Sequence, residues 1–284
     1  MASRVTVVIV NYNSGPWLGR CLACFMDCPD PPSCIVLDNA SRDASADAAA
    51  EYPGVVRIDS GENLGFGPGV NRAAESVKTH CMLVLNPDCL IGPDGLVGLL
   101  EPLESDDGLA MTGGRVFEPD GTEQRASRRC LPTPGRIVNE FLPWRRRAGL
   151  GVDRTGTRPP EAPQDVEALS GACMMIRTEA FRQAGGFDAD YPMHFEDLDL
   201  MARLLQAGWR LRLMPEIRVR HAGGVSSSHR RLRVLWAKHA GLWRYLSVHC
   251  RDRWPPWSRP VWALALLVHA LIRSPAAVLR RPSP

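Results

Sequence analysis

Three features of this 284-residue chain predict an α/β fold, a mostly parallel sheet flanked by helices. Short β-branched apolar runs alternate with segments of helical periodicity. The connections between them are short, and a polar residue follows the end of run after run. In such sheets ligands bind outside the carboxyl ends of the strands, so residues placed there deserve chemical scrutiny first.

Val5–Val10 is a continuous apolar run, short enough for a buried strand. Asn11-Tyr12-Asn13-Ser14-Gly15 is turn chemistry, and Pro16 suits the first turn of a helix running to about Cys28. Cys34–Leu37 is a second strand, followed by Asp38-Asn39-Ala40-Ser41. Ser41 or Asp43 is suited to cap a helix through about Glu51. Val55–Ile58 is a third strand. Gly61 to Gly69 is a glycine-rich loop entering a helix over about Val70–Lys78. Cys81–Leu85 is a fourth strand, ending at Asn86-Pro87-Asp88. The alternation therefore brings Asn11, Asp38 and Asp88 to one edge of the sheet.

Beyond Asp88 the pattern changes. Pro93–Leu103 reads as a helix, Leu109–Phe117 and Cys173–Ile176 as strands. Leu142–Asp165 is rich in Pro, Gly and Arg without periodicity and is expected to be a mobile loop. In Met193-His194-Phe195-Glu196-Asp197-Leu198-Asp199, three carboxylates precede a helix with Leu198, Met201, Leu204 and Leu205 on its apolar face. Acids in a first turn are favoured by the helix dipole alone. Leu211–Pro215 and Ile217–Arg220 are expected to flank a turn, with His221 after them, 24 residues beyond Asp197.

The formal charge of +3 hides an asymmetry: residues 229–284 carry +10, leaving residues 1–228 at −7. That basic segment is helical in pattern from Leu232 to His249. It then reaches Trp254-Pro-Pro-Trp257 and the twelve-residue apolar run Val261–Ile272. The run is too short to span a bilayer, which takes about 20 residues. Five of the chain's eight tryptophans and Arg253, Arg259, Arg273, Arg280 and Arg281 surround it. Basic and Trp-rich amphipathic segments suit an anionic membrane surface. A helical cap or a dimer contact is the alternative. The length suits one large domain, 1–228, with 229–284 as an extension.

The nine dispersed cysteines fit a reduced thiol set better than disulfides. Cys21, Cys24 and Cys28 lie at helix-face spacing, without the second ligand pair a zinc site needs. Gly65-Phe66-Gly67-Pro68-Gly69 follows the third strand and carries Pro where the helix opens, so it is no dinucleotide fingerprint.

Six segments then occur in order: Val8–Ser14, Val36–Ser41, Asn63–Asn71, Leu85–Asp88, Ser170-Gly-Ala with Gly186-Phe-Asp188, and Phe195–Asp199. Together they resemble a bacterial family-two glycosyltransferase of the Rossmann-like GT-A fold, close to its rhamnosyltransferase-like branch. The resemblance covers about residues 4–225, with a nucleotide-sugar half to about residue 92 and an acceptor half over 93–228. It implies that Asn11, Tyr12 and Asp38 hold the nucleotide, with Asn63, Gly65, Asn71 and Asn86 beside it. Asp88 matches a metal-binding acid and His221 a histidine that completes the metal site, for Mg²⁺ or Mn²⁺. Asp197 matches the general base, Gly171 lines the acceptor side, and Glu196 is a candidate for an acceptor hydroxyl. Asn86 departs from the more usual first Asp of the metal motif and leaves the metal one carboxylate fewer.

The implied reaction is inverting transfer from a nucleotide-diphospho sugar to a glycan or lipid-linked acceptor at the inner face of the cytoplasmic membrane. The donor dTDP-rhamnose leads, with UDP- and GDP-hexoses open, and no nucleic-acid partner is expected. A nucleotidyltransferase on a similar sheet would need a basic phosphate loop after the first strand, which Asn11–Pro16 lacks. A non-catalytic nucleotide-sugar-binding module that docks on membranes is the other alternative.

Overall fold

Every residue of strand β1, Val5–Asn11, is buried. Its odd and even side chains enter two different cores: Val5, Val7 and Ile9 one, Val8 and Val10 the other. A strand covered on both faces has no polar side, which is why it reads as an unbroken apolar run. The computed structural model describes residues 1–141, 149–223, 231–253, 255 and 257–279.

Strands β2 (Ser33–Asp38), β3 (Val55–Asp59) and β4 (Cys81–Leu85) form a parallel block with β1. Strand β5 is Cys89–Leu90, β6 Leu109–Phe117, β7 Gln164–Asp165, β8 Cys173–Arg177 and β9 Arg210–His221. The sheet order is β3-β2-β1-β4-β8-β6-β9-β5, with β7 on β9. β8 runs antiparallel to both β4 and β6, so the sheet is mixed around a parallel core. Helices α1 (Trp17–Met26) and α3 (Pro93–Ser105) cover one face. Helices α2 (Phe66–Ala74), α4 (Pro134–Phe141), α5 (Thr178–Gln183) and α6 (Glu196–Gln206) contribute to the core on the other.

Some expectations need correction. The segment 44–51 is a 3₁₀ helix, capped by Asp43, whose carboxylate accepts from Ser45 N–H. Ser41 is instead taken up by Asp38. Helix α2 opens at Phe66, inside the glycine-rich stretch, because Pro68 in a first turn forfeits no intrahelical hydrogen bond. The expected turn at 215–217 is a bulge within one continuous strand. Gly114 pairs with Met214 and Arg115 with Arg218, so the intervening residues swell out of register. Pro215 has no N–H to give the ladder, and a bulge absorbs that loss. Of the loop expected over 142–165, residues 142–148 lie outside the described residues. The remainder includes a bridge between Asp153 and Arg129 and the strand β7. All nine cysteines are free; Cys24 and Cys28 donate to backbone carbonyls, as core-facing thiols do.

The C-terminal extension continues as α7 (Arg231–His249) and α8 (Ser258–Leu279), the expected boundary at 228 lying outside the described residues. Leu242, Tyr245 and Leu246 of α7 are buried in the core beside α6. A polar clamp holds the two helices together: Asp199 accepts from His249 Nε2 at 2.7 Å, Arg203 Nε at 2.8 Å and Tyr191 OH at 3.3 Å. Arg244 adds ion pairs of 2.7 Å to both Asp188 and Asp190. Trp254, Arg280 and Arg281 lie outside the described residues. Among those described, no helix is long and apolar enough to cross a membrane.

Candidate active site

The parallel register sets Asn11 beside Asp38 at the carboxyl ends of β1 and β2. Asn11 is fully buried and donates to Asp38 Oδ1 at 2.9 Å and to Ser45 Oγ at 2.9 Å. Its amide therefore holds Asp38 in place from behind. Asp38 also accepts from Ser41 N–H at 3.1 Å. Tyr12, half-buried, follows directly. Asn39 ties this edge to the glycine-rich loop: its amide donates to Asn63 Oδ1 at 3.1 Å and Gly65 O at 3.0 Å, and its Oδ1 accepts from Leu64 N–H at 2.9 Å. Gly65 sits at φ +90°, a region closed to most side chains. Asn71, expected near the nucleotide, spends both ends of its amide on the backbone of Phe187, at 2.8 Å each. It fastens α2 to the stretch leading into the acidic helix.

At the end of β4, Asp88 Oδ1 lies 3.1 Å from His221 Nε2. The pairing of β5 with β9 causes this, since it sets Cys89 opposite His221. His221 Nδ1 lies 2.7 Å from Gln124 Oε1, an acceptor only, so Nδ1 carries the proton. For the neutral ring, Nε2 then presents a lone pair toward a carboxylate oxygen. Two acceptors at that distance call for a proton or a cation between them. A histidine whose outer nitrogen is fixed by an amide oxygen has the arrangement of a metal ligand. Asn86 Nδ2 approaches the same Nε2 at 3.4 Å. Asp88, Cys89 and His221 have potential ligand atoms within 4.8 Å of one another. The Cys89 thiol donates to Ala172 O at 3.4 Å and is pushed well up by burial, so a hard cation would be left with the carboxylate and the imidazole.

Asp197 stands in the first turn of α6. Its Oδ2 accepts from Arg129 Nη2 at 2.6 Å and its Oδ1 from Leu198 N–H at 2.8 Å. Arg129 also donates to Leu169 O, which locks the guanidinium against the segment leading to β8. Gly171 is required here: a Cβ at that position would collide with Asp197 Oδ2. The next residue, Ala172, accepts from Asn86 N–H at 2.9 Å. Adjacent residues thus touch the carboxylate of Asp197 and the backbone beside Asp88.

Glu196 is buried, and its Oε2 has no hydrogen-bond partner among the described residues. Burial, with Asp197 adding to it, pushes its carboxyl well above the ordinary carboxylate range, to about 8. Its Cβ faces Gly67 of the glycine-rich loop, 4.0 Å from where a Cβ on that glycine would lie. A neutral carboxyl between that loop and Asp197 is equipped to donate to a hydroxyl.

His194 and Phe195, just before α6, both have left-handed backbones, φ 64° and 72°. Each costs roughly 1–3 kcal/mol and persists only where its surroundings enforce it. Helix α7 supplies the enforcement. A Cβ at Gly241 would lie 2.9 Å from His194 O and 3.1 Å from Phe195 Cδ2, and the Phe195 ring meets Tyr245 at a centroid distance of 6.3 Å. Burial first, then Lys238, drives the His194 imidazole down to about 4, so it is neutral at pH 7.

The structure therefore gathers Asn86, Asp88, His221, Gly171, Glu196 and Asp197 around the segment before β8. It places Asn11, Tyr12, Asp38, Asn63 and Gly65 along the neighbouring strand ends. Asn71 lies behind the acidic helix. Arg129, Asn39 and Gln124 escaped sequence reading; for Arg129 the one signal is the basic pair Arg128-Arg129 within an otherwise unremarkable polar stretch.

With this geometry in place, comparison with known proteins gives the class. The family model described as "Glycosyl transferase family 2" matches residues 6–185, and the chain belongs to that family. It is a glycosyltransferase. A second model, "Glycosyl transferase family group 2", matches residues 160–281 and so includes most of the extension.

The chain is similar to the N-acetylglucosaminyl-diphospho-decaprenol L-rhamnosyltransferase of Mycobacterium tuberculosis, with 32% identity over 99% of this chain and 97% of the relative. It is also similar to the rhamnosyltransferase WbbL of Escherichia coli, with 26% identity over 76% of this chain and 83% of that protein. Among solved structures, the fold is shared with a mannosyltransferase from Pyrobaculum calidifontis in complex with GDP-Man and Mn²⁺. There the TM-score is 0.59 at 18% identity, over 97% of this chain and 74% of that one. It is shared too with GalNAc-T7, solved with UDP, GalNAc and Mn²⁺, at a TM-score of 0.57 and 17% identity over 77% and 43%. The expected α/β GT-A-type fold and the rhamnosyltransferase-like resemblance are borne out.

The raised carboxyl of Glu196 has a consequence for stability. The folded state keeps a proton there that the unfolded chain releases in the ordinary carboxylate range. Stability is therefore lost as pH rises from that range toward about 8. Glu196→Gln removes the titrating group. Its melting temperature relative to wild type is expected to climb between pH 5 and pH 8, measured by differential scanning fluorimetry. A pH-independent difference would mean that Glu196 is ionised in the folded protein.

Proposed function

We propose that the chain transfers a deoxyhexose, rhamnose, from a nucleotide-diphospho sugar to a hydroxyl of a lipid-linked glycan acceptor, with inversion and with a divalent cation. The observation that carries this reading is the segment Gly171-Ala172. It touches the carboxylate of Asp197 on one side and the backbone beside Asp88 on the other. A leaving diphosphate and a proton acceptor must sit on opposite sides of one anomeric carbon, and this segment sets them as neighbours.

On this reading Asp38, backed by Asn11, and Tyr12 hold the nucleoside, with the Asn63–Gly65 loop beside it. Mg²⁺ or Mn²⁺ held by Asp88 and His221 would neutralise the diphosphate as the glycosidic bond breaks. Asp197 takes the proton of the acceptor hydroxyl while that oxygen bonds to the anomeric carbon and the nucleoside diphosphate departs. A single displacement inverts the centre. Arg129 holds the Asp197 carboxylate in orientation, and one of its contacts must yield as the acceptor arrives. Glu196, neutral, donates to a hydroxyl of the sugar or acceptor. The rhamnosyl donor and the diphospholipid acceptor rest on the printed activity of the 32% identical relative.

The extension is the docking element of this reading, and it places the enzyme at the inner face of the cytoplasmic membrane. Trp257, just before α8, and Val261, Leu264, Val268, Leu271 and Ile272 of α8 are exposed, with Arg259 and Arg273 on the same helix. An apolar helix face with arginines at its flanks suits anionic lipid.

Asp197→Asn is expected to lower kcat by about 10²–10⁴-fold with donor affinity retained, in a transfer assay paired with donor titration. An equal loss of donor affinity would make Asp197 a binding residue. Asp88→Ala should weaken donor binding when Mn²⁺ is present and leave it unchanged under chelator; an effect that survives EDTA removes the metal assignment. The double substitution L264E/L271E on the exposed face of α8 should abolish sedimentation with phosphatidylglycerol liposomes without unfolding the protein. Undiminished sedimentation would refute docking through α8.

A further inference from the structure

Helices α7 and α8 face each other along a seam of helical spacing. Trp236, Ala240 and Trp243 line it from α7, and Ala263, Leu267 and Ala270 from α8. Packed interiors leave few voids larger than a water molecule. Here Ala240, Ala263 and Ala270 are too short to meet across the seam, and a groove of about 250 Å³ stays open between the helices. Its walls are held at this distance. His239 Nε2 meets His269 Nδ1 at 2.8 Å from one helix to the other, and the Phe141 ring of α4 stacks on His269 at a centroid distance of 4.4 Å. Leu266 and Ala270, both buried, close the floor.

The lining selects what can enter. His239 is its one titratable group, and both ring nitrogens are engaged, Nδ1 at 2.8 Å from Leu235 O and Nε2 on His269. A sugar hydroxyl or a phosphate placed here would lose water and find no partner in that imidazole, whereas a hydrocarbon gains by leaving water. The groove is smaller than the roughly 300–1,000 Å³ pockets that enclose whole small molecules, so it takes a length of chain rather than a head group. It also joins two places. On the opposite face of α7, Gly241 and Tyr245 press on the His194-Phe195 turn before Asp197. On α8, Leu267 lines the groove and is also exposed, and Leu264, Val268 and Leu271 continue it as an open apolar stripe.

We infer that the groove between α7 and α8 holds the hydrocarbon chain of the lipid-linked acceptor, the part next to its head group. This rests on the transferase reading above for the identity of the acceptor. The chain enters from the exposed stripe of α8 and lies between the two tryptophans of α7. The head group then has one helix thickness to cross, about 10 Å, to reach the turn that carries Asp197. Anchoring the chain on one side of α7 thereby presents the sugar on the other.

The test fills the groove with Ala240→Trp from α7 or Ala263→Trp from α8. It compares two acceptors that share one head group, N-acetylglucosaminyl-diphospho-farnesol and N-acetylglucosaminyl-diphospho-ethanol. Wild type should show a KM about tenfold lower, or better, for the farnesyl acceptor, the effect of roughly two methylene groups leaving water. Each filled variant should raise the farnesyl KM to the ethyl value. KM for the ethyl acceptor and for the donor should not move. Ala265→Trp, at an exposed position of α8 outside the groove, should match wild type. An equal loss on both acceptors, or a chain preference that survives both fillings, overturns the groove. Calorimetry with farnesyl diphosphate and isopentenyl diphosphate gives a readout independent of turnover. Both carry the same diphosphate, so their difference reports the chain; about tenfold in wild type, it should vanish in the filled variants. If wild type transfers no sugar to either acceptor, the transferase reading fails, and the calorimetry still decides the groove. If the fillings keep the chain preference and instead weaken phosphatidylglycerol vesicle binding or split a dimer on gel filtration, the groove seats bilayer lipid or a second copy, and the acceptor assignment falls.

Discussion

The antiparallel pairing of β8 with β4 is the constraint on which the site depends. Its register sets Cys173 opposite Leu85, so the residues entering β8 run directly past the end of β4. Gly171 then meets Asp197 and Ala172 meets Asn86, with no room for a side chain at Gly171. A slip of one residue would exchange the side chains that β8 sends into the two cores and place a Cβ against Asp197. On the proposed reading, the donor and acceptor sides are joined at this point through backbone, which is stiffer than any pair of long side chains.

Charge inside the site is managed by pairing and by neutralisation. Asp197 is paired with Arg129 at 2.6 Å and accepts from Leu198 N–H in the first turn of α6. Its neighbour Glu196, whose Oε2 has no hydrogen-bond partner among the described residues, relieves burial by holding its proton. Adjacent acids on one helix turn thereby differ in role, one able to accept a proton and the other able to donate a hydrogen bond. The Asp88 and His221 pair follows a third course: the contact of Nδ1 with Gln124 turns Nε2 toward Asp88 Oδ1 at 3.1 Å, an arrangement that takes a proton or a cation between the two.

The C-terminal extension is integral to this arrangement. The strained turn at His194-Phe195 aims the first turn of α6, and Gly241 and Tyr245 of α7 pack against it. Asp199, two residues past Asp197, anchors the far end of α7 through His249. Any displacement of α7 is thus transmitted to the turn that carries Asp197. The family match that extends to residue 281 agrees with a catalytic unit that includes these helices.

The amino-acid sequence by itself determined the strands, their order as far as β4, and the residues at their carboxyl ends. Strand length, burial on both faces and turn chemistry are local properties, so Asn11, Asp38 and Asp88 could be placed at one edge from periodicity alone. The acidic helix start was legible for the same reason. Two local readings failed where composition was ambiguous: Pro68 inside rather than before a helix, and Pro215 at a bulge rather than a turn. Tertiary structure alone decided the partners. Arg129 reaches Asp197 across 68 residues, Gln124 reaches His221 across 97, and Asn71 turns away from the nucleotide edge to hold Phe187. These contacts follow from how an antiparallel strand, a bulge and a C-terminal helix close on one another. No period in the chain encodes that closure, because its energy comes from long-range burial rather than from neighbours in sequence.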